Sequence, residues 1–338
     1  DMIRSPWYTI VNEGGTAAGD YDVVLTLNDP ENAEWAGGGS AAKTLTATFV
    51  RGGKGDGSTY IWKGGSSNSW LDGNNWDRGF PPLEGDRVVI SPKANSTILV
   101  NAAPPHLLSF VLGGSNGTAT VQFQNWDAVL TADEVTIKDK GVLQPVSAFT
   151  DTESSNRVAV VCNNFTLESG ASINASGKGW VAPKANVKGS GPGGGQQNRG
   201  GAGYGGRGGC GYDVRKAACG NPYGSLTAPT DPGSGGGQSG TSGAGAGGGA
   251  VLIQASNNIR IDGSIRADGT DSASSYGSGS GGGVYLSCRT FEGAGSVTAR
   301  GGFSNPVRKG LAPEFVQMYP GAGGRIALDW NETAQAAV

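Results

Sequence analysis

The groups in this chain able to do covalent or metal chemistry are few, and their spacing narrows what they can do. There is one histidine, His106, in "NAAPPHLLSF". A Ser-His-Asp triad has to use it, yet it follows two prolines at a predicted turn, where a surface histidine is expected. Serines beside glycines, as in "GGSSNSW" and "DPGSGGG", lack the strand–turn–helix frame of a nucleophile elbow. Gly-x-Gly runs abound with no helix after them, which argues against a phosphate cradle. The cysteines, Cys162, Cys210, Cys219 and Cys288, form no CxxC pair, so a structural zinc site is not expected. Cys210 and Cys219 enclose "CGYDVRKAAC" and are disulfide candidates, which fits an oxidising compartment. Cys162 and Cys288 fall at one place in two repeats. Stacked repeats admit either a second bridge or two small buried apolar residues there.

Carboxylates and cations offer three further arrangements. "DGNNWD" sets oxygen ligands at Asp72, Asn74 and Asp77, in the manner of a calcium loop, without the later Glu of an EF-hand. Ca2+ is the one cofactor this suggests. A glycoside hydrolase needs two facing carboxylates. Asp262 and Asp268 meet Gly293 and Arg300 at the matching places of the next repeat, and Asp133, Glu134 and Asp139 cluster in a plain surface-strand context. A polysaccharide lyase needs a base and a cation. Arg266 and Arg300 ("IRA", "TAR") are expected to stack as a short basic ladder, with solvated outward side chains as the simpler reading. Tyr204, Arg207, Tyr212, Arg215 and Lys216 form the richest polar-aromatic patch, suited to an acidic glycan or to capping neighbouring glycines. No catalytic residue is assigned, and if the chain is an enzyme a lyase is the expected class.

Composition sets the frame for these groups. Glycine supplies 62 of 338 residues, without a Gly-X-Y period, which excludes collagen. The net charge of −3 carries no basic footprint for nucleic acid. No apolar run reaches the length of a membrane helix, so membrane insertion is not expected. The bias toward small polar residues suits an extracellular or cell-surface protein. The start at Asp1, with no signal peptide visible, reads as a mature product or an excised piece.

The elements that must position these groups read as strands throughout. "YDVVLTL" and "KTLTATFV" alternate apolar and polar residues. "GDYDVVLTLNDPENAEWAGG" resembles the Ig-like repeats of large bacterial surface proteins through Gly19, Tyr21, Val23, Leu27, Asp29, Asn32 and Trp35. That resemblance implies a partial β-sandwich spacer over 1–50. A linker follows at 51–58. Residues 59–92 then carry Trp62, Trp70, Asn75, Trp76, Gly85 and Asp86, a pattern that resembles the entry segment of bacterial right-handed β-helix proteins. Several tryptophans suit a cap over an exposed core end, or an aromatic platform for sugar.

From 93 to 338 short strands recur, and one phrase is written repeatedly: "RVAVVCNNFTLESGASINASGKG", "GGAVLIQASNNIRIDGSIRADG" and "GGVYLSCRTFEGAGSVTARGG", restarting at "GGAGGRIALDW". Units of this kind bury their apolar sides only by stacking. The alternation turns Val251, Ile253, Ile259, Ile261 and Ile265 inward, with Leu286, Phe291 and Val297 as counterparts. Glycine-rich text fills about 189–249 and 270–283, either as flexible linker or as ordered, polyproline-II-like strands packed side by side. "GPGGG", "GGAGYGGRGG", "GGGAVLIQA" and "GAGGRIALDW" together resemble a glycine-rich right-handed parallel β-helix family of large bacterial cell-surface, autotransporter-like proteins. The fold expected is therefore all-β, a right-handed parallel β-helix (solenoid) with long glycine-rich inserts. The function expected is structural or adhesive at the cell surface, with polysaccharide or further copies of the chain as partners. A polysaccharide-active enzyme and a self-assembling filament are the alternatives.

Overall fold

The computed structural model describes residues 8–12, 19–27, 31, 41, 43–49, 54–65, 67–150, 154–181, 187–196, 199–210, 219–238, 243–273, 276–304, 307–308, 316–317 and 319–336. The chain divides into two compact units, Asp1–Lys54 and Gly55–Val338. In the first, β1 (Tyr8–Asn12), β2 (Gly19–Leu27) and β3 (Lys43–Phe49) form an antiparallel sheet in that order.

The second unit is built on two parallel sheets over one core. The larger contains β4 (Thr59–Ile61), β5 (Arg87–Ile90), β7 (Leu107–Leu112), β9 (Leu130–Ile137), β11 (Val158–Leu167), β13 (Val251–Ile261), β15 (Gly283–Ser287) and β20 (Arg325–Asp329), with β16 (Thr290–Glu292) beside β13. The smaller contains β6 (Ser96–Val100), β8 (Ala119–Phe123), β10 (Gly141–Pro145), β12 (Ser172–Asn174), β14 (Ser264–Arg266) and β17 (Ser296–Thr298). The chain alternates between the sheets, so each pass adds a strand to both. A short antiparallel pair, β18 (Val307–Arg308) and β19 (Val316–Gln317), lies between β17 and β20 in the chain, and a helix, α1 (Glu332–Gln335), follows β20.

Period-two alternation decides which residues face the core. Val88, Phe110, Val135, Phe165, Ile259 and Phe291 stand in register across the larger sheet. Ile98, Val121, Leu143, Ile173, Ile265 and Val297 do so across the smaller. All except the last of each row are buried. Each such side chain contributes about 1.5–3 kcal/mol on burial, and the rows make one continuous core. The repeated phrases meet residue for residue, as in Val158–Val251–Val284.

The expected right-handed β-helix solenoid is corrected by this arrangement. The strands lie in two sheets of nine and six, and they range from three residues in β12, β14 and β17 to eleven in β13. The glycine-rich parts contain no strand among their described residues until β15 begins at Gly283. The physical reason is that a uniform coil needs side chains alternating in and out along every face. Glycine runs supply none, so the ladder stops where they begin. An all-strand reading also missed α1, which Asn331 caps by accepting the Ala334 N–H.

The described glycine segments are nonetheless hydrogen-bonded to one another. Gly233 donates to Gly248, Gly248 to Ser280, Gly281 to Ala322, Ala322 to Ala202 and Ala202 to Ser278, all through backbone groups. The approach is close enough to exclude a side chain. A Cβ on Gly279 would lie 1.9 Å from the Ala246 carbonyl oxygen, and one on Gly195 would lie 1.8 Å from that of Gly200. Buried serines and two aromatic pairs, Phe149–Trp180 and Tyr204–Tyr223, fill the remaining space.

Candidate functional site

The densest assembly of polar side chains crosses the larger sheet where its long strands bend. Between Cys162 and Asn164 the register of β11 shifts by one residue against β13 while staying constant against β9, a bulge beside which successive polar residues face outward. His106 Nε2 lies 3.0 Å from Asp133 Oδ1. Asn163 Nδ2 donates to the same oxygen at 3.2 Å, and Ser256 Oγ donates to Asn163 Oδ1 at 2.8 Å. Beside this line, Asn164 Nδ2 donates to Glu134 Oε1 at 2.6 Å, and Asn257 Nδ2 donates to Asn164 Oδ1 at 2.7 Å. Asn258 Nδ2 extends the contact to Thr290 Oγ1 at 2.9 Å. An amide both donates and accepts, so asparagines stack at strand spacing without the repulsion of like charges.

Aspartates tie the next layers together. Asp262 accepts the Ala294 N–H at 3.1 Å, Asp268 that of Arg300 at 2.6 Å, and Asp271 that of Phe303 at 2.6 Å. Each bond spans the same sequence distance of 32 residues. The Ala294 N–H and then the Arg260 guanidinium hold the Asp262 carboxyl below its ordinary value. Near it a shallow groove is lined by Ser172, Ser264 and Ser296, one from each of the neighbouring strands β12, β14 and β17.

This geometry connects structure more readily than it cleaves bonds. Ser256 and His106 lie at opposite ends of their line, separated by Asp133 and Asn163, so no Ser–His bond exists to activate a nucleophile. Among the described residues no cluster of three His, Cys, Asp or Glu side chains is placed to hold a metal. Asp72 caps a short 3-10 turn by accepting the Asn74 N–H and takes the Ser67 hydroxyl on its other oxygen, while Asp77 accepts the Ile61 N–H. The residues singled out for calcium therefore brace the entry segment. There Trp62, Trp70 and Trp76 are buried edge to face, with centroids 5.1 and 4.9 Å from the Trp76 ring, which removes them as a sugar platform.

The other expected site residues are dispersed. Tyr204 is fully buried against Tyr223 and beneath Arg325, so it contacts no glycan. Burial raises its hydroxyl pKa, and that of Tyr223 likewise. Arg207 is exposed and donates to Asn221 Oδ1. Tyr212, Arg215 and Lys216 lie outside the described residues. The basic ladder of Arg266 and Arg300 is not built, because Arg266 stands opposite Asn174 and Thr298, two positions short of Arg300. Cys210 and Cys219 form a disulfide. Cys162 and Cys288 are free. Ala255 of β13 lies opposite Cys162, and Ser287, the neighbour of Cys288, pairs with Gln254, so β13 stands between the two thiols. Burial pushes Cys162 up to about 12 and Cys288 up to about 11.

The polar line itself escaped the sequence reading, although "CNN" and "SNN" sit at the same place in two repeats. Compared with protein-family models, curated proteins and solved structures, the chain matches none.

Proposed function

We propose that this chain is a structural module of an extracellular surface protein, whose larger unit is a stiff body that holds or presents neighbouring parts and carries no catalytic centre of its own. One observation carries the reading: among the described residues the one histidine and the acidic and amide side chains beside it join one layer to the next. His106, Asp133, Glu134, Asn163 and Asn164 are bonded across strands, and Asp262, Asp268 and Asp271 each cap a backbone N–H of the following layer. Such bonds resist shear between layers, and the packed glycine segments resist bending. The Cys210–Cys219 disulfide suits an oxidising, extracellular setting. No helix among the described residues is long and apolar enough to cross a membrane.

The test is a depolymerisation screen. The chain is incubated with acidic and neutral polysaccharides, with and without calcium, and new reducing ends and unsaturated uronates are followed. No turnover is expected on any substrate. Turnover that the His106→Ala or Asp133→Asn substitution abolishes would overturn the reading and make the polar line an active site.

A further inference from the structure

The two ends of the stacked body are finished differently. At the entry end the first layer is closed by the buried Trp62, Trp70 and Trp76. At the far end the core rows run out into solvent. Ile326 continues the row of Val158, Val251 and Val284, all buried, yet is 47% exposed. Leu328 continues the row of Ile253 and Leu286 and is half-buried, as are Phe291 and Val297. Trp330, just beyond, is 42% exposed. Among the described residues β20 is also the outermost strand of its sheet, paired with β15 alone. The neighbouring edge at β16 is closed in another way. The Gln335 side chain accepts the Phe291 N–H at 2.6 Å and donates to the Phe291 carbonyl at 3.0 Å, standing in for a strand.

We propose that the exposed end at β20 docks a second copy of this chain through a twofold, antiparallel pairing of the two β20 strands. Two features of the strand select this occupant. Its sequence is Arg325-Ile326-Ala327-Leu328-Asp329. Antiparallel pairing centred on Ala327 sets Arg325 against the partner's Asp329, and Ile326 beside the partner's Leu328, twice over by symmetry. Charge complementarity and apolar burial thus arise from one register. Arg325 is already anchored by its bond to the Gly224 carbonyl at 2.9 Å and by the Tyr204 ring, so its charge is held at that edge. Asp329 is exposed, and among the described residues the Tyr285 hydroxyl, at 3.3 Å, is on its carboxylate. Growth into an open filament needs the other end as well, and the tryptophan cluster closes it. The assembly therefore stops at two.

Sedimentation velocity and light scattering on the full chain test this between about 1 and about 100 μM, where interfaces of ordinary size report. A monomer–dimer equilibrium that ends at the dimer is expected. Ile326→Lys and Asp329→Lys, both at exposed positions, are each expected to weaken it at least about tenfold, with circular dichroism and thermal unfolding of the monomer unchanged. A chain that stays monomeric throughout this range overturns the proposal. Species that grow beyond two copies overturn the twofold closure, and a dimer that neither substitution weakens overturns its placement at β20.

Discussion

Replacing Gly279 by alanine separates a packed glycine layer from a slack linker. A Cβ at this position would lie 1.9 Å from the Ala246 carbonyl oxygen and 2.8 Å from the Gly247 nitrogen. Both atoms are backbone, so no rotamer change relieves the clash. Overpacking of this kind costs about 1–3 kcal/mol. Movement of the Ala246 segment strains the bond from the Thr270 N–H to the Ala246 carbonyl, and movement of Gly279 strains the Gly279–Thr270 and Gly302–Gly279 backbone bonds, which places the loss toward the upper figure. Opposing it, alanine lowers the entropy of the unfolded chain, worth about 0.4–1 kcal/mol. The net expectation is a loss of about 2 kcal/mol, lowering the melting temperature by roughly 4–8 °C for a domain of this size. Gly206 is the internal control: nothing lies within 4 Å of its added Cβ. Gly206→Ala is expected to leave stability unchanged or raise it by up to about 1 kcal/mol. Urea unfolding of both variants, with equal m-values, supplies the comparison. Two variants within about 0.5 kcal/mol of the parent would refute the argument that these glycines are there for contact.

Further predictions concern the cap, the disulfide and pH. Trp76→Ala removes a fully buried ring and the donor to the Trp70 carbonyl at 2.8 Å; calorimetry should show a loss of about 3–5 kcal/mol. Reducing the Cys210–Cys219 bridge, or replacing both cysteines by serine, releases a loop of sequence separation 9, and the denaturation midpoint should fall by the equivalent of about 2.5 kcal/mol. On the acid side the folded Asp262 pKa is depressed. Its contribution is therefore present above the unfolded value of about 3.9 and lost as pH falls through the folded value; Asp262→Asn should flatten that limb of the stability–pH curve. On the alkaline side Cys162 is raised to about 12. The folded state then holds a proton that the unfolded state releases above about pH 8.5, so stability falls as pH rises from there toward 12. Cys162→Ala should lessen this fall, and a parent chain with level stability between pH 8 and 11 would contradict the burial of that thiol.

Much of the core was legible in the chain. Strict alternation around Val251, Ile253, Ile259, Ile261 and Ile265 determines which side of each strand is apolar, and the recurrence of the phrase determines that equivalent residues meet. The tryptophans of 59–92 announced a closed end for a similar reason, since rings of that size stabilise only when covered. The glycine text was ambiguous, because a residue without a side chain has no pattern of its own. Only the approach of one backbone to another distinguishes contact from slack.

The sequence by itself determined local geometry: strands from alternation, the turn that Asp72 caps, the short loop that Cys210 and Cys219 close. The tertiary structure decided everything that depends on register between distant segments. It set Arg266 against Thr298 rather than Arg300, chose buried free thiols over a second bridge by placing β13 between Cys162 and Cys288, and buried Tyr204 among the glycines instead of leaving it open to a glycan. It also joined His106, Asp133, Asn163 and Ser256 into one line from four separate stretches of chain. The physical reason is that a strand's faces follow from its own residues, whereas its partners follow from how far the intervening glycine segments let the chain travel before it returns to the sheet.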